Sequence, residues 1–308
     1  MELQMKLLGD KIRNQAFFDA LKKIIRPGRT TVADIGSGTG FLSLLASRLG
    51  AKTCYLYEED EALLELSRTI ARANKITNCR FIPFHSARVK QPEKVDVIIS
   101  ETLGNYALEE NIIENIRDGR RFLKPGGIII PSSLEQWVAP VTAKRVFDEI
   151  NPWDRIGFGM NLSDAKRAAL NNMYVSKMRG EDLLLRKAGA KKWDEINFYK
   201  NEKSIRGGKV QWTLNERTII YGFAVWWTCT LAPGITLSIS PYSPRTHWDQ
   251  IFLPLIEPLE VEKKDRVEIE LTSDSRYIVG IRLDWEIRLF RQSRTLRKIA
   301  MSTDHGIQ

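Results

Sequence analysis

Cysteine is scarce in this chain. Cys54, Cys79 and Cys229 are its only three in 308 residues, too few and too scattered for a disulfide framework or a cysteine metal cluster. Histidine is as rare: His85, His247 and His305 have no metal-ligand spacing, so no metal is expected. No apolar run reaches the roughly 18 residues that mark a membrane span. The opening MELQMKLLGDKIR has no signal-peptide core. These absences predict a soluble cytoplasmic protein with no membrane association. Blocks of one charge are missing too. The net charge of +9 is spread along the chain, which reads as a solvated basic surface, and no nucleic-acid partner is expected.

What is present is an ordinary globular composition, 43% hydrophobic and 28% charged, enough for one large or two medium domains. The first part alternates strand and helix. Residues 31–35 read as a buried strand, 41–49 as a helix, 53–58 as a strand, and Leu63, Leu66 and Ile70 as one helix face. Strands follow at 80–84 and 95–100, then a helix around 109–123, the turn Lys124-Pro125-Gly126-Gly127 and a strand at 128–131. This order predicts a parallel sheet with helices on both faces. Beyond Ser133 the pattern changes. Residues 145–180 read as a helical insertion, and from about 209 the chain alternates with period two. Val267, Ile269 and Leu271 alternate with glutamates, and Leu283, Trp285 and Ile287 with charged residues, as in half-buried antiparallel strands. The fold class is α/β plus β: a Rossmann-like domain over 1–133, then a sandwich or barrel over 134–308.

Asp34-Ile35-Gly36-Ser37-Gly38-Thr39-Gly40 follows a strand and opens a helix, a context that lets backbone N–H groups approach a ligand. Its spacing is not the dinucleotide fingerprint G-x-G-x-x-G. Asp34 repels a pyrophosphate but suits a ligand that carries an ammonium and a sulfonium. Glu58 ends the next strand, 18 residues past Gly40, where a carboxylate can accept both hydroxyls of a ribose. Ser86, Ala87 and Arg88 fall where a loop borders an adenine. Glu101 lies just past the fourth strand, at the end where open α/β sheets place ligands, and Glu110 follows nine residues later. Gly104 allows the loop between them to fold back. Two acids in one pocket share a proton unless a cation sits between them, and a guanidinium offers the matching fork of donors. An exposed acid favouring the helix dipole accounts equally well for Glu110.

In combination these segments resemble the protein arginine methyltransferase family over nearly the whole chain. VADIGSGTGFLSLLASRLGA is similar to that family's cofactor strand and loop, VDVIISETLGNYALEE to its double-glutamate loop, RFLKPGGIIIPSS to its last sheet strand and crossover, and SPRTHWDQIFLPL to its Thr-His-Trp loop, here Thr246-His247-Trp248. The resemblance implies S-adenosylmethionine as cofactor, bound through Arg13, Asp34, the turn Gly36 to Gly40, Glu58, Ala87, Arg88 and Glu101. It implies a β-barrel behind the cofactor domain and a helical arm over roughly 144–180 that makes a head-to-tail homodimer. Asp10 pairs with His247 in this reading, and the pair accepts the released proton, although a buried histidine with a purely structural role fits the residues as well. Trp248 packs beside the substrate pocket. The acceptor is an arginine in a protein or peptide, held by Glu101 and Glu110.

Three departures from the family accompany this. The chain has too few residues before Leu8-Gly9-Asp10 for the family's full tyrosine-bearing lid helix, Leu7 stands where bulkier residues are common, and Arg88 replaces an acidic adenine contact. The basic balance also leaves room for a methyltransferase of free arginine or of a peptide natural product. A non-catalytic scaffold is a further alternative, against which the retained acids and His247 weigh.

Overall fold

The structure, a computed structural model, describes residues 2–306. Two helices lead the chain, α1 (Glu2–Gly9) and α2 (Lys11–Ile24), and Asp10 between them accepts the Arg13 backbone N–H at 2.9 Å, satisfying a first-turn donor of α2. Next come β1 (Thr31–Ile35), α3 (Phe41–Arg48), β2 (Thr53–Tyr57), α4 (Glu61–Ala73), β3 (Cys79–Ile82), β4 (Val95–Ile99), α5 (Ile112–Gly119) and β5 (Leu123–Ile130). The five strands form one parallel sheet in the order β3-β2-β1-β4-β5. Val32, Ala33, Val97 and Ile98 are buried, as expected of strands covered on both faces. The strand order reverses between β1 and β4, which opens a crevice at their carboxyl ends.

Three local expectations shift. The buried stripe of α4 is Leu64, Ser67 and Ala71, one residue along from the predicted Leu63, Leu66 and Ile70, which are only partly covered. Close approach decides this: a Cβ on Gly40 would stand 2.1 Å from Ser67 Oγ, so the helix turns its smallest side chains to the glycine turn. The helix predicted from 109 begins only at Ile112, because Asn111 takes a left-handed backbone, φ 55°. Lys124 to Gly127 is an irregularity inside β5 rather than a turn before it: Val95 pairs with Leu123, yet Val97 pairs with Ile128.

The changeover falls between β5 and β6 (Ser133–Val141). The helices α6 (Lys144–Ile150) and α7 (Ser163–Leu170) follow, then β7 (Tyr174–Ser176), β8 (Lys191–Asn197), β9 (Ile205–Thr213), β10 (Thr218–Ala232), β11 (Ile235–Ser238), β12 (Gln250–Val261), β13 (Arg266–Asp274), β14 (Arg282–Arg291) and β15 (Arg294–Ser302). They build two antiparallel sheets, β7-β12-β10-β6-β8 with β11 on β10, and β15-β14-β13-β9. The period-two residues Val267, Ile269, Leu271, Leu283, Trp285 and Ile287 all point into the barrel core. The segment 144–180, expected to be helical throughout, holds α6 and α7 but ends in the strand β7 paired with β12, and it leaves Phe158 91% and Met160 62% exposed.

Candidate active site

The crevice at the β1–β4 reversal holds a cavity of about 210 Å³. Arg13, Asp34, Gly36, Ser37, Gly38, Thr39, Glu58, Glu101 and Glu110, all candidates from the sequence, line it. Gly36, Gly38 and Gly40 have φ of 70°, 54° and 74°, the left-handed backbone that favours glycine. The turn does not present a nest of free donors, however. Gly36 and Ser37 give their N–H groups to the Tyr57 carbonyl at 3.0 and 3.1 Å, Gly40 to the Ser37 carbonyl at 2.8 Å, and Gly38 to Glu58 Oε2 at 2.8 Å. What the turn offers is close backbone approach without a concentration of positive dipoles, which agrees with a ligand that is not a pyrophosphate. Beneath it Asp34 accepts the Ser43 hydroxyl at 2.8 Å, and complete burial pushes its carboxyl up to about 7.

Ser37 Oγ is buried without a hydrogen-bond partner, an orphaned polar atom at the wall of the cavity. Gln4 and Leu7 of α1 also line the cavity, and the Gln4 amide lies 3.5 Å from where a Cβ on Gly38 would stand. The short helix α1 therefore covers the glycine turn.

The Glu101 side chain is 6% exposed, and the Arg13 guanidinium rests on it, with Nε donating to Oε2 at 3.1 Å and Nη2 to the same oxygen. Arg13 is thus committed to Glu101 as well as facing the cavity. Among the described residues no donor reaches Glu101 Oε1, and none reaches the Glu110 carboxylate. Glu110 stands at the cavity mouth, where crowding by protein and then the charges of Glu101 and Glu109 push its carboxyl up to about 7. Glu109 is turned away beneath the loop. A Cβ on Gly104 would stand 2.1 Å from Glu109 Oε2, so Gly104 is what permits the fold-back.

Two indoles fix this loop from behind. Trp227 Nε1 donates to the Gly104 carbonyl at 2.9 Å and Trp248 Nε1 to the Leu103 carbonyl at 3.0 Å, with the rings edge to face at 5.1 Å. Trp248 therefore stands behind the glutamate loop, with the His247 ring 3.8 Å away between centroids, and does not itself line the cavity. Beside it Asp10 and His247 meet across the two domains. Asp10 Oδ2 accepts the His247 backbone N–H at 2.7 Å and lies 2.8 Å from Nδ1. Burial raises the Asp10 carboxyl, but hydrogen bonds from the His247 ring and from the Arg13 and His247 backbones outweigh it and hold the group below its usual value. The carboxylate assigns the ring proton to Nδ1, leaving Nε2 as the basic nitrogen.

Ala87 and Arg88 do not join the group. The Ala87 N–H is spent on His85 Nδ1 at 3.2 Å, and the Arg88 side chain is 72% exposed, 4.0 Å from Glu59. Gln4, Thr102, Asn115 and Trp227 are site residues the sequence did not single out. Thr102 had a cue in its place beside Glu101; the others reach the site through tertiary contacts alone.

Comparison with known proteins identifies the family. A profile for the arginine methyltransferase oligomerization subdomain matches residues 135–293, and one for ribosomal protein L11 methyltransferase matches residues 15–145. Protein arginine N-methyltransferase 6 of Xenopus tropicalis is 30% identical over 283 residues, covering 87% of this chain and 81% of that protein. A probable protein arginine N-methyltransferase 6 of Arabidopsis thaliana is 25% identical over 338 residues, covering 91% and 75%. Among solved structures, the Trypanosoma brucei PRMT1 enzyme-prozyme heterotetrameric complex with AdoHcy superposes with a TM-score of 0.85 at 20% identity, over 97% of both chains. Arabidopsis thaliana protein arginine methyltransferase 10 gives a TM-score of 0.81 at 22% identity, again over 97% of both. These two structures show the shared fold. With a profile over half its length and a relative at 30% identity across most of it, the chain belongs to the protein arginine methyltransferase family.

Proposed function

We propose the following residue roles in the reaction of this family member, the S-adenosylmethionine-dependent transfer of a methyl group to an arginine guanidinium nitrogen in a protein or peptide. The observation that carries the reading is the acid pair: two carboxylates at one cavity, of which Glu101 Oε1 and all of Glu110 lack a protein donor. The left-handed glycine turn, the unpartnered Ser37 hydroxyl and the carboxylates of Asp34 and Glu58 fit the cofactor, with Arg13 facing its carboxylate and Glu58 its ribose. When bound, S-adenosylmethionine supplies an electrophilic methyl group on a sulfonium.

A guanidinium in water is always protonated, so the site must orient it and redistribute its charge. Glu101, pre-set by Arg13, accepts one N–H edge through Oε1, and Glu110 accepts the other. With Glu110 ionised, the pair draws positive charge away from the attacking nitrogen and offsets the charge that develops there. On gaining the methyl group the nitrogen sheds one proton. His247 Nε2, whose Nδ1 proton is held by Asp10, takes it directly or through water.

The exposed Phe158 and Met160 on the 144–180 arm support a homodimer in which the arm docks on a partner's cofactor domain, where Met5, Leu8 and Ile12 are also exposed. Three unpaired buried cysteines support a cytoplasmic location. The direct test is mass spectrometry after incubation with labelled cofactor and arginine peptides, free arginine or lysate proteins. Label on peptide arginine is the expected result. Folded, cofactor-binding protein that labels no arginine-bearing acceptor would overturn the reading.

A further inference from the structure

One buried amide touches both segments that carry the acid pair. Asn115, in the first turn of α5, is 7% exposed; its Nδ2 donates to the Glu110 carbonyl at 2.9 Å and to Thr102 Oγ1 at 3.3 Å. Thr102 directly follows Glu101, so a single side chain links the backbone at one carboxylate to the neighbour of the other. An asparagine amide can sit either way round, and only one way supports both bonds. Its orientation is set from the barrel: the Tyr277 hydroxyl donates to Asn115 Oδ1 at 2.6 Å.

Tyr277 lies on the loop between β13 and β14, which grips α5 twice more. The Ser275 carbonyl accepts Asn111 Nδ2 at 2.6 Å, and the Ser275 hydroxyl donates to Glu114 Oε1 at 3.1 Å. The tyrosine residue is 57% exposed, so its ring adds little to the core and its hydroxyl is the part that reaches in. A buried amide with all its partners met is rigid, whereas one that has lost a partner can turn over.

We propose that Asn115, oriented by Tyr277, is the positioning residue that fixes the separation of Glu101 and Glu110, so that the barrel sets the geometry of the acid pair. This rests on the proposed role of that pair, but the separation has a readout that needs no substrate. The charged groups around Glu110 are Glu101 with Arg13 upon it, Glu109 alongside, and Asp34 and Glu58 across the cavity. Of these, Glu101 directly precedes Thr102, which the amide ties to the Glu110 carbonyl. Letting the two acids drift apart weakens their repulsion and lowers the pH at which Glu110 ionises.

Tyr277→Phe keeps the ring and deletes the hydroxyl. Ser275→Ala loosens the same loop without touching Asn115 and serves as the comparison. Titration of the Glu110 carboxyl carbon by NMR in the full chain is expected to show a lower midpoint in Tyr277→Phe and the wild-type midpoint in Ser275→Ala. On an arginine peptide, Tyr277→Phe is expected to lose about tenfold in kcat, as for a small misplacement of catalytic groups, with the KM for cofactor unchanged. A wild-type Glu110 midpoint in Tyr277→Phe, or equal shifts in both variants, overturns the inference. If the midpoint shifts as expected but wild-type protein methylates no arginine, the inference about spacing stands and the proposed function falls.

Discussion

The segment from Glu101 to Glu110 presents the same side chain at its two ends in opposite surroundings. Glu101 is buried against the Arg13 guanidinium, which supplies its counter-charge before any ligand arrives. Glu110 stands at the cavity mouth with no donor among the described residues, and its carboxyl is pushed up to about 7. One acid is built as a fixed anion within the fold; the other is left for an incoming cation to complete. A pocket that bound two permanent anions this closely would oppose its own folding, and dividing the roles avoids that.

The largest expected effect is at the fixed end. Glu101→Gln should cut turnover on an arginine peptide by about 100-fold or more, the scale of losing one pre-organised electrostatic group. It should also destabilise the fold by about 3 kcal/mol, because Arg13 is left buried without its partner. Initial rates and urea denaturation check the two halves.

Glu110→Gln should bring a comparable fall in turnover with the opposite stability signature. The raised carboxyl disfavours the ionised form in the folded state, so its contribution is most favourable below the ordinary glutamate range and declines as pH rises through about 7. Denaturation at pH 5.5 and 8.5 should therefore show wild type losing stability relative to Glu110→Gln at the higher pH. Equal pH dependence of both proteins would mean that the two ends do not differ. In the wild type, the same ionisation should give kcat/KM an acid limb near pH 7, rising as pH increases.

Trp227→Phe leaves the Gly104 carbonyl buried without its indole donor, and should cost about 1–3 kcal/mol by thermal or urea unfolding. Asp10→Asn should cost about 1–3 kcal/mol at neutral pH, since an asparagine that still caps α2 through its one carbonyl oxygen turns its NH2 onto the buried His247 backbone N–H. The depressed Asp10 carboxyl adds stability that is present above its unfolded value and is lost as pH falls through the folded one; the variant should lack that acid-side loss when unfolding is followed from pH 6 to pH 2.

The cofactor sheet was legible as five strands in order, because buried parallel strands read as apolar runs and the glycine turn can follow only one of them, but the start of β5 at Leu123 was hidden by Lys124 to Gly127. The barrel was legible through its period of two, from Val267 to Leu271 and from Leu283 to Ile287. Less legible was the face of α4, which the close approach of Ser67 to Gly40 sets one residue from the strongest apolar stripe. The family resemblance put Trp248 beside the substrate pocket; only the structure shows that its indole holds the Leu103 carbonyl of the glutamate loop. Ala87 and Arg88 were placed by positional analogy alone; in the structure the Ala87 amide is bonded to His85 and the Arg88 side chain is exposed beside Glu59.

By itself the sequence determined the two-part architecture, the family and the candidate acid pair, since each is written in local periodicity or in a motif of fixed spacing; the pairing of Asp10 with His247 came only with the family resemblance, and the fold is what brings the two together. Tertiary structure alone decided that Arg13 occupies one face of Glu101, that α1 covers the glycine turn, and that Trp227, Asn115 and Tyr277 hold the glutamate loop. Those contacts join residues many positions apart, through single hydrogen bonds whose donors and acceptors carry no pattern along the chain; only the packing of barrel against sheet brings them within reach.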